Sequence, residues 1–283
     1  MNDRQAMHYE TLTGGVVRCT LCPHFCEIHQ ESTGICGVRK NHSGKLIAES
    51  FARVNGIALD PIEKKPLHFF HPGSIILSVG TYGCNLDCPF CQNHKSVRQQ
   101  KNGDILTPEE LTAIAKKYTS HGNIGVAYTY NEPIVGYEYV YETAKLVKSA
   151  GLKNILVTNG FINPKPLVEL LPFIDAMNID LKAFTQGFYD KLGGKLEAVK
   201  ETITSSTCHV EVTMLIIPGE NENDICEAAK WLANINPEIP LHLSRFFPRY
   251  KYTNHAPTPI ETLIHAAEKA QQHLKNVVLG NVR

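Results

Sequence analysis

The chain has 283 residues, which is enough for one large domain or for one large and one small domain. Lysine plus arginine and aspartate plus glutamate both number 28, so the formal net charge is zero and a general polyanion-binding surface is not indicated. Hydrophobic residues make up 43% of the sequence, which supports a sizeable core, and no apolar run approaches the length of a membrane span.

The cysteine content indicates the compartment. Residues 1–5 contain no apolar segment of the kind found in secretory signals, so we expect a cytoplasmic protein. In a reducing compartment, nine cysteines are more typical of metal ligands than of disulfides.

Four of these cysteines lie near the N-terminus. Cys19, Cys22, Cys26 and Cys36 are spaced C-x2-C-x3-C-x9-C, with glycines and a proline that can turn the backbone around a small body. Four thiolates at this spacing suit either a structural zinc ion, which they would enclose as a tetrahedron, or an auxiliary iron–sulfur cluster. Four unliganded cysteines are the alternative. We therefore predict that residues 1–70 form a small cysteine-rich metal-binding domain with its linker.

Two further segments belong to this N-terminal region. Residues 38–48 predict a β-hairpin with an Asn-His-Ser-Gly turn. Residues 60–67 then form the linker, and two prolines make it stiff and non-helical. Its charged residues are predicted either to be solvated or to line the mouth of an active site: Asp60, Glu63, Lys64 and Lys65.

From residue 74 onward, short β-branched apolar runs alternate with segments of helical periodicity, which indicates βα units and a parallel sheet. Thr107–Glu110 and Thr258–Glu261 are capping boxes with proline at the first helical position, and a third helix is predicted over Tyr137–Ala150, before Gly151. The predicted strands are Ile75–Val79, Ile124–Thr129, Asn154–Val157, Ala176–Ile179, Val210–Ile216, Leu241–Leu243 and a seventh candidate, Val277–Leu279.

This alternation sets the fold class. Six βα units are too few to close an eight-stranded barrel. We therefore predict an α/β fold over residues 71–283, in the form of an incomplete (β/α)6 barrel. A flat, doubly wound sheet is the alternative.

The most informative motif directly follows the first predicted strand of the barrel. Cys84, Cys88 and Cys91 are spaced C-x3-C-x2-C, and Gly83 precedes them. Three thiolates cannot complete a tetrahedral metal site alone, but they can hold one corner of a cubane iron–sulfur cluster, whose usual protein ligands are cysteines. One of the four irons is then left open to a non-protein ligand. Three buried free cysteines or half of a zinc site are the alternative.

Unusual polar residues accompany the other predicted strands. Each has an ordinary structural explanation, such as a turn, a surface ion pair or a core histidine. In parallel barrels, however, the chemistry gathers at the C-terminal ends of the strands, where the cysteine loop also lies. A shared site is therefore favoured. The candidate residues are Asn131, Glu132, Thr158, Asn159, Asp180, Lys182 and His242.

The cysteine loop resembles the cluster-binding loop of the radical S-adenosylmethionine (SAM) superfamily. Residues 16–282 further resemble the radical SAM enzymes of the AmmeMemoRadiSam system, which are related to the pyruvate formate-lyase activating enzyme branch. Asn131-Glu132-Pro133 departs from the commoner glycine-rich form of its motif. The resemblance implies a radical SAM barrel and a [4Fe–4S] cluster held by Cys84, Cys88 and Cys91. It rests on residues 19–36, 60–67, 84–93, 128–133, 157–160, 180–182 and 242–248.

The same resemblance implies that the amino and carboxylate groups of SAM chelate the open iron. Glu132 is then expected to accept hydrogen bonds from the SAM ammonium group. Lys182 is expected to contact the SAM carboxylate, and Asp180 to hold Lys182 or a ribose hydroxyl. Further contacts are expected from Asn131, Thr158, Asn159 and His242. No side chain is assigned a catalytic role.

The implied activity is reductive cleavage of SAM to a 5′-deoxyadenosyl radical, which abstracts a hydrogen atom from an unidentified substrate. Activation of a glycyl radical enzyme is one specific form of this activity. A non-catalytic iron–sulfur or zinc adaptor is the alternative from another class. The expected partners are an electron donor such as flavodoxin or ferredoxin and, by resemblance, Memo-like and AMMECR1-like proteins. Neither a membrane nor a nucleic acid is indicated.

Overall fold

The computed structural model describes residues 4–98 and 103–282, and its N-terminal part is built from short strands. These are β1 Tyr9–Thr11, β2 Val17–Cys19, β3 Glu27–Ile28, β4 Arg39–His42, β5 Lys45–Ala48 and β6 Arg53–Val54. β1, β2 and β3 form an antiparallel sheet. β4 and β5 form the predicted hairpin, which turns at Ser43 and Gly44, both with positive φ.

The remaining strands build a single large sheet and one small pair. They are β7 Gly56–Pro61, β8 Ile75–Gly80, β9 Asp104–Ile105, β10 Asn123–Tyr128, β11 Lys153–Thr158, β12 Ala176–Asp180, β13 His209–Ile216, β14 Leu241–Arg245 and β15 Val277–Gly280. β9 pairs with β6, and the other eight form a sheet in the order β15-β14-β13-β12-β11-β10-β8-β7. All seven predicted strands of the barrel are confirmed, each within two residues at either end. β7 was not predicted as a strand.

The order of the strands decides between the two predicted folds. β7 is antiparallel to β8, but from β8 to β15 each new strand of the sheet lies parallel beside the previous one. In a doubly wound sheet, the spatial order of the strands instead reverses at a switch point. The fold is therefore an incomplete (β/α) barrel, as predicted, and the doubly wound alternative is wrong. The domain division at residue 70 stays a prediction; β7, which precedes it, belongs to the barrel sheet.

The helices are α1 His94–Arg98, α2 Pro108–Lys117, α3 Tyr137–Ser149, α4 Pro164–Leu170, α5 Gln186–Leu192, α6 Leu196–Ser205, α7 Ile225–Ile235 and α8 Ile260–Gln271. α2 begins with the predicted capping box: the Thr107 hydroxyl accepts the Glu110 N–H at 3.2 Å, and the Glu110 carboxylate accepts the Thr107 N–H at 2.8 Å. α3 ends just before Gly151, as predicted. Across residues 4–98 and 103–282, no helix combines the length and the apolar character that crossing a bilayer requires.

The second predicted capping box is wrong. α8 begins at Ile260 after Pro259, and no side chain caps it. Thr258 is buried, and its hydroxyl donates to the Ile216 carbonyl at 2.6 Å and accepts the Phe246 N–H at 3.1 Å. Because this hydroxyl joins the ends of β13 and β14, it is not available to cap the helix.

An apolar layer fills part of the barrel interior. Ile62 and Leu67 of the linker pack there against residues from four neighbouring strands, namely Ile76, Ala127, Ile155 and Ala176. Because side chains alternate along a strand, inward-facing positions further along, such as Val157 and Thr213, face the space beyond this layer. That space is the cleft described next.

Candidate active site

A cleft of about 1090 Å³ opens where the parallel strands of the barrel end. Its walls come from the cysteine loop after β8 and from residues at or near the ends of β10, β11 and β12. All ten residues predicted to bind the cluster or SAM line this cleft: Cys84, Cys88, Cys91, Asn131, Glu132, Thr158, Asn159, Asp180, Lys182 and His242. Their individual roles as ligands stay predictions.

The backbone of the cysteine loop requires glycine at one position. Gly83 has a φ of +92°, and a Cβ there would lie 2.6 Å from a Val38 methyl carbon and 2.9 Å from the Cys36 carbonyl oxygen. Asn131 holds the same loop, because its amide donates to the Gly83 carbonyl at 3.3 Å and accepts the Thr81 N–H at 3.0 Å. Asn131, which was predicted to contact SAM, therefore positions the cysteine loop through these hydrogen bonds.

The three cysteines have the donor chemistry that an iron–sulfur cluster needs. Burial raises the pKa of the Cys84 thiol and raises the pKa of Cys88 to about 12, so iron must replace the thiol proton to form the thiolate. In the described part of the chain, no three His, Cys, Asp or Glu side chains meet at a point that would hold one metal ion. A cubane does not require such a point, because each thiolate binds a separate iron. The donor set therefore fits a cluster.

Glu132 is buried, with 3% of its surface exposed, and joins the ends of β10 and β11. Its carboxylate accepts the Thr158 hydroxyl at 2.6 Å, the Asn159 N–H at 2.7 Å and the Ile134 N–H at 3.1 Å. Burial raises the pKa of Glu132 to about 7, although these hydrogen bonds act to lower it. A carboxylate has about four acceptor positions, so three donors leave room for one more donor from the cleft.

Asn159 connects the loop after β11 to the cysteine loop. Its side-chain amide donates to the Asn85 side-chain oxygen at 2.9 Å and lies 3.8 Å from the Cys84 sulfur. Asn85 in turn donates to the Phe161 carbonyl at 2.8 Å. Cys84 therefore has polar contacts with its own loop, through the Leu86 N–H at 3.5 Å, and with the end of β11, through Asn159.

Asp180 and Lys182 present an ion pair to the cleft. Lys182 Nζ lies 2.7 Å from Asp180 Oδ2, and the two side chains are 17% and 35% exposed, respectively. Burial acts to lower the pKa of Lys182, but Asp180 and Cys88 raise it by more, so the net shift is upward and the ammonium stays charged. The predicted contact between Asp180 and Lys182 is confirmed.

His242 lies deeper than a strand-end residue, because it is the second residue of β14. Its Nε2 is 2.6 Å from Glu211, which also accepts the His209 ring at 2.9 Å and the N–H groups of His68 and Phe69 at 3.0 and 2.8 Å. Burial acts to raise the pKa of Glu211, but these four partners lower it to about 2. The carboxylate is therefore ionised, and both histidine rings must donate to it.

The sequence interpretation missed Glu211. Its one signal is a single carboxylate inside the apolar run of β13, at a position that faces the barrel interior. A charge at such a position needs buried partners. One partner, His209, lies two residues earlier on the same strand. The other three lie on β14 and just after the linker, and no local pattern identifies them.

The linker takes part in the cleft. Glu63 and Lys64 line it, whereas Lys65 forms a buried ion pair with Asp60 at 2.8 Å. The Tyr130 hydroxyl also donates to Asp60 at 2.9 Å. Of the two predicted placements, the mouth of the cleft is therefore right for Glu63 and Lys64, and neither describes the buried pair.

The four N-terminal cysteines line a second, smaller cavity. The structure thus brings together the predicted ligands Cys19, Cys22, Cys26 and Cys36. Burial raises the pKa of the Cys22 and Cys36 thiols to about 12 and about 11, respectively. Binding of zinc or of an auxiliary cluster by these thiols stays a prediction.

Comparison with known proteins gives related chains for most of this sequence. Residues 78–232 match the family model described as the Radical SAM superfamily. An uncharacterized protein of Methanocaldococcus jannaschii is 41% identical over 99% of this chain and 85% of its own length. The GTP 3′,8-cyclase of Geobacter sulfurreducens is 26% identical over 52% of this chain and 48% of its own length.

A solved structure shows the same fold. Streptococcus suis SuiB bound to the precursor peptide SuiA superimposes with a TM-score of 0.55 at 12% identity, over 70% of this chain and 46% of SuiB. The present chain therefore spans about half the length of SuiB and of the cyclase.

Proposed function

The chain belongs to the radical SAM superfamily, and from this premise we propose that it reductively cleaves SAM and abstracts a hydrogen atom from a substrate held in the cleft. Members of the superfamily use a [4Fe–4S] cluster and SAM. When bound, these two groups supply a 5′-deoxyadenosyl radical. The observation that carries the proposal is the meeting of the three motif cysteines with the predicted SAM-binding residues in one cleft.

Different walls of the cleft would bind different parts of the cluster and of SAM. Cys84, Cys88 and Cys91 would hold three irons of the cluster and leave one iron for SAM. The remaining acceptor position on Glu132 suits the ammonium group of SAM, and the Lys182 ammonium suits its carboxylate.

The size of the cleft supports a second bound molecule. Small-molecule pockets are typically about 300–1,000 Å³, and this cleft, at about 1090 Å³, exceeds that range. Its mouth also carries charged linker residues, Glu63 and Lys64. We therefore place the substrate in the same cleft as SAM, on the side of the linker.

The proposal covers the reaction step that the superfamily shares. The chain is related over about half its length to a GTP 3′,8-cyclase, and it resembles the pyruvate formate-lyase activating enzyme branch. Because these activities differ in substrate, glycyl-radical activation stays a narrower prediction. Memo-like and AMMECR1-like partners and a flavodoxin or ferredoxin donor likewise stay predictions.

The test uses the full chain, reconstituted with iron and sulfide under anaerobic conditions. With dithionite and SAM, it is expected to release 5′-deoxyadenosine, which chromatography measures. Cys88→Ala is expected to abolish the release and to lower the iron content. Cys226→Ala, on α7 and outside the cleft, is the matched control and is expected to behave like the wild type.

The same experiment distinguishes a SAM-cleaving enzyme from a non-catalytic adaptor. Release from Cys88→Ala equal to that of the wild type would refute the assignment of the cluster ligands. Wild-type protein that contains iron but neither binds nor cleaves SAM would favour the non-catalytic adaptor.

A further inference from the structure

One N–H group of a buried arginine in the N-terminal region has no hydrogen-bond partner within residues 4–98 and 103–282. Arg39 is 1% exposed; its Nη1 donates to both carboxylate oxygens of Glu138, each at 3.1 Å, and its Nη2 donates to the Met7 carbonyl. Its Nε–H has no hydrogen-bond partner among the residues that the structure describes. Leaving a buried donor unsatisfied destabilises a fold, and more so when the group is charged. Such a group in a folded protein calls for a ligand or another specific explanation.

The surroundings of Arg39 identify that ligand. Arg39 lines the same small cavity as the four N-terminal cysteines, which come from the end of β2, the following loop and the residues before β4. Most of the cavity lining is thiol sulfur and apolar carbon, which would not satisfy a water molecule. A buried guanidinium beside four thiols is instead suited to an anionic, sulfur-ligated centre.

We propose that Cys19, Cys22, Cys26 and Cys36 bind a metal–thiolate centre in the form of an iron–sulfur cluster, and that the Nε–H of Arg39 donates to one of its sulfur atoms. Among the described residues no three such side chains meet at a point that would hold one metal ion, whereas each thiolate of a cluster binds a separate iron. Four thiolates around a cluster core with two positive charges leave a net charge of two minus, which a buried guanidinium stabilises. The four cysteines precede residues 78–232, which match the superfamily model, so membership of the superfamily does not itself imply this site. The inference is also independent of the proposed activity.

The N-terminal cysteine site lies directly behind the cysteine loop of the cleft and is expected to support it. Asn85, which directly follows Cys84, lines the N-terminal cavity, and its carbonyl oxygen lies 2.7 Å from the ring nitrogen of His24, between Cys22 and Cys26. The Cys36 carbonyl lies against Gly83 of the cysteine loop. The metal–thiolate centre therefore forms the rigid wall behind the cysteine loop, and its loss is expected to loosen that loop.

The test removes the ligands of the active-site cluster and leaves the N-terminal site intact. The full chain with Cys84→Ala, Cys88→Ala and Cys91→Ala is purified with and without oxygen, dialysed against a chelator, and analysed for zinc, iron and acid-labile sulfide. Iron with matching acid-labile sulfide in the oxygen-free preparation supports the cluster. About one zinc ion per chain without sulfide, or a folded triple variant without stoichiometric iron, would overturn the proposal.

Two further variants in the triple-variant background test the individual residues. Cys22→Ser is expected to abolish stoichiometric metal binding, whereas Cys226→Ser is expected to keep it. Arg39→Lys preserves a cation for Glu138 but lacks the Nε–H, and it is expected to weaken metal retention against a chelator by about tenfold. Retention equal to that of the unsubstituted background would overturn the role of Arg39, and metal that survives Cys22→Ser would overturn the ligand set. Because these readouts involve neither SAM nor activity, their failure is distinct from failure of the proposed function.

Discussion

Replacing Glu211 with glutamine is expected to destabilise the fold by about 3 kcal/mol at pH 7. One carboxylate oxygen accepts the His68 N–H and the His242 ring, and the other accepts the Phe69 N–H and the His209 ring. Glutamine has almost the same shape, but it replaces one of these oxygens with an NH₂ group, which only donates. Whichever way the amide is turned, one backbone N–H then faces the NH₂ group, and the histidine ring on the same side must change tautomer to accept from it.

Two independent estimates of this loss of stability agree. One lost backbone hydrogen bond to a charged acceptor corresponds to about 1.5–3 kcal/mol, and the remaining hydrogen bonds weaken because the new acceptor is neutral. The lowering of the Glu211 pKa from 4.5 to about 2 corresponds to about 3 kcal/mol of stabilisation of the ionised form. Because Glu211 is fully buried, water cannot replace the missing acceptor without a rearrangement of the barrel interior.

The same shift in pKa fixes the pH dependence. The stabilisation is fully present above about pH 4.5, where Glu211 is ionised in both the folded and the unfolded states. It is lost as the pH falls from about 4.5 to about 2, because the unfolded state binds the proton first. Each pH unit within this window removes about 1.4 kcal/mol. The difference in stability between wild type and Glu211→Gln is therefore expected to be smaller at about pH 3.5 than at pH 7.

Urea unfolding followed by circular dichroism measures both differences. Glu197→Gln is the control, because this side chain is 82% exposed and pairs with Lys200 on the surface of α6, so its free energy of unfolding should change by less than about 0.5 kcal/mol. Glu211→Gln that is as stable as this control at pH 7 would refute the argument. So would a loss of stability that is as large at pH 3.5 as at pH 7.

Three other predictions concern the cysteine loop, α2 and the cleft. Gly83→Ala is expected to lower the iron content after reconstitution, because the added Cβ meets Val38 at a φ of +92°; Gly187→Ala, which meets no atom within 4 Å, should keep its iron. Thr107→Ala is expected to lower the free energy of unfolding in urea by about 1 kcal/mol through loss of the capping box. Glu132→Gln is expected to weaken SAM binding in anaerobic calorimetry by about tenfold or more, because a charge-assisted hydrogen bond is lost; unchanged affinity would contradict its assignment.

The barrel fold and the residues that line the cleft were predictable, because both follow from local sequence patterns. The apolar runs and helical periodicities identify the strands and helices, and parallel connections bring all strand ends to one edge. Thr158 and Asp180, for example, are the last residues of β11 and β12, so the strand assignment alone places both at the cleft. The spacing of Cys84, Cys88 and Cys91 then predicts an iron–sulfur cluster at this edge.

The residues that escaped prediction depend on contacts between distant segments. Glu211 is paired with the backbone of His68, 143 residues away in sequence, and a charge in an apolar strand does not reveal that partner. The Thr258 pattern is equivalent to that of Thr107, yet its hydroxyl is used by Ile216 and Phe246 instead of by a helix. Local patterns therefore identify which side chains are available, and only packing decides which partner each one takes.

Three of the carboxylates in the cleft and its floor differ in how well their negative charges are stabilised, and this difference orients a charged ligand. Glu211 has four donors and no acceptor position left, and Asp180 is paired with Lys182. Glu132 has three donors, yet burial still raises its pKa to about 7. Because its ionised form is poorly stabilised by the protein, a cationic group bound there recovers free energy that the other two sites do not offer. A ligand with both charges is therefore directed with its cation toward β10 and β11 and its anion toward Lys182, beyond β12.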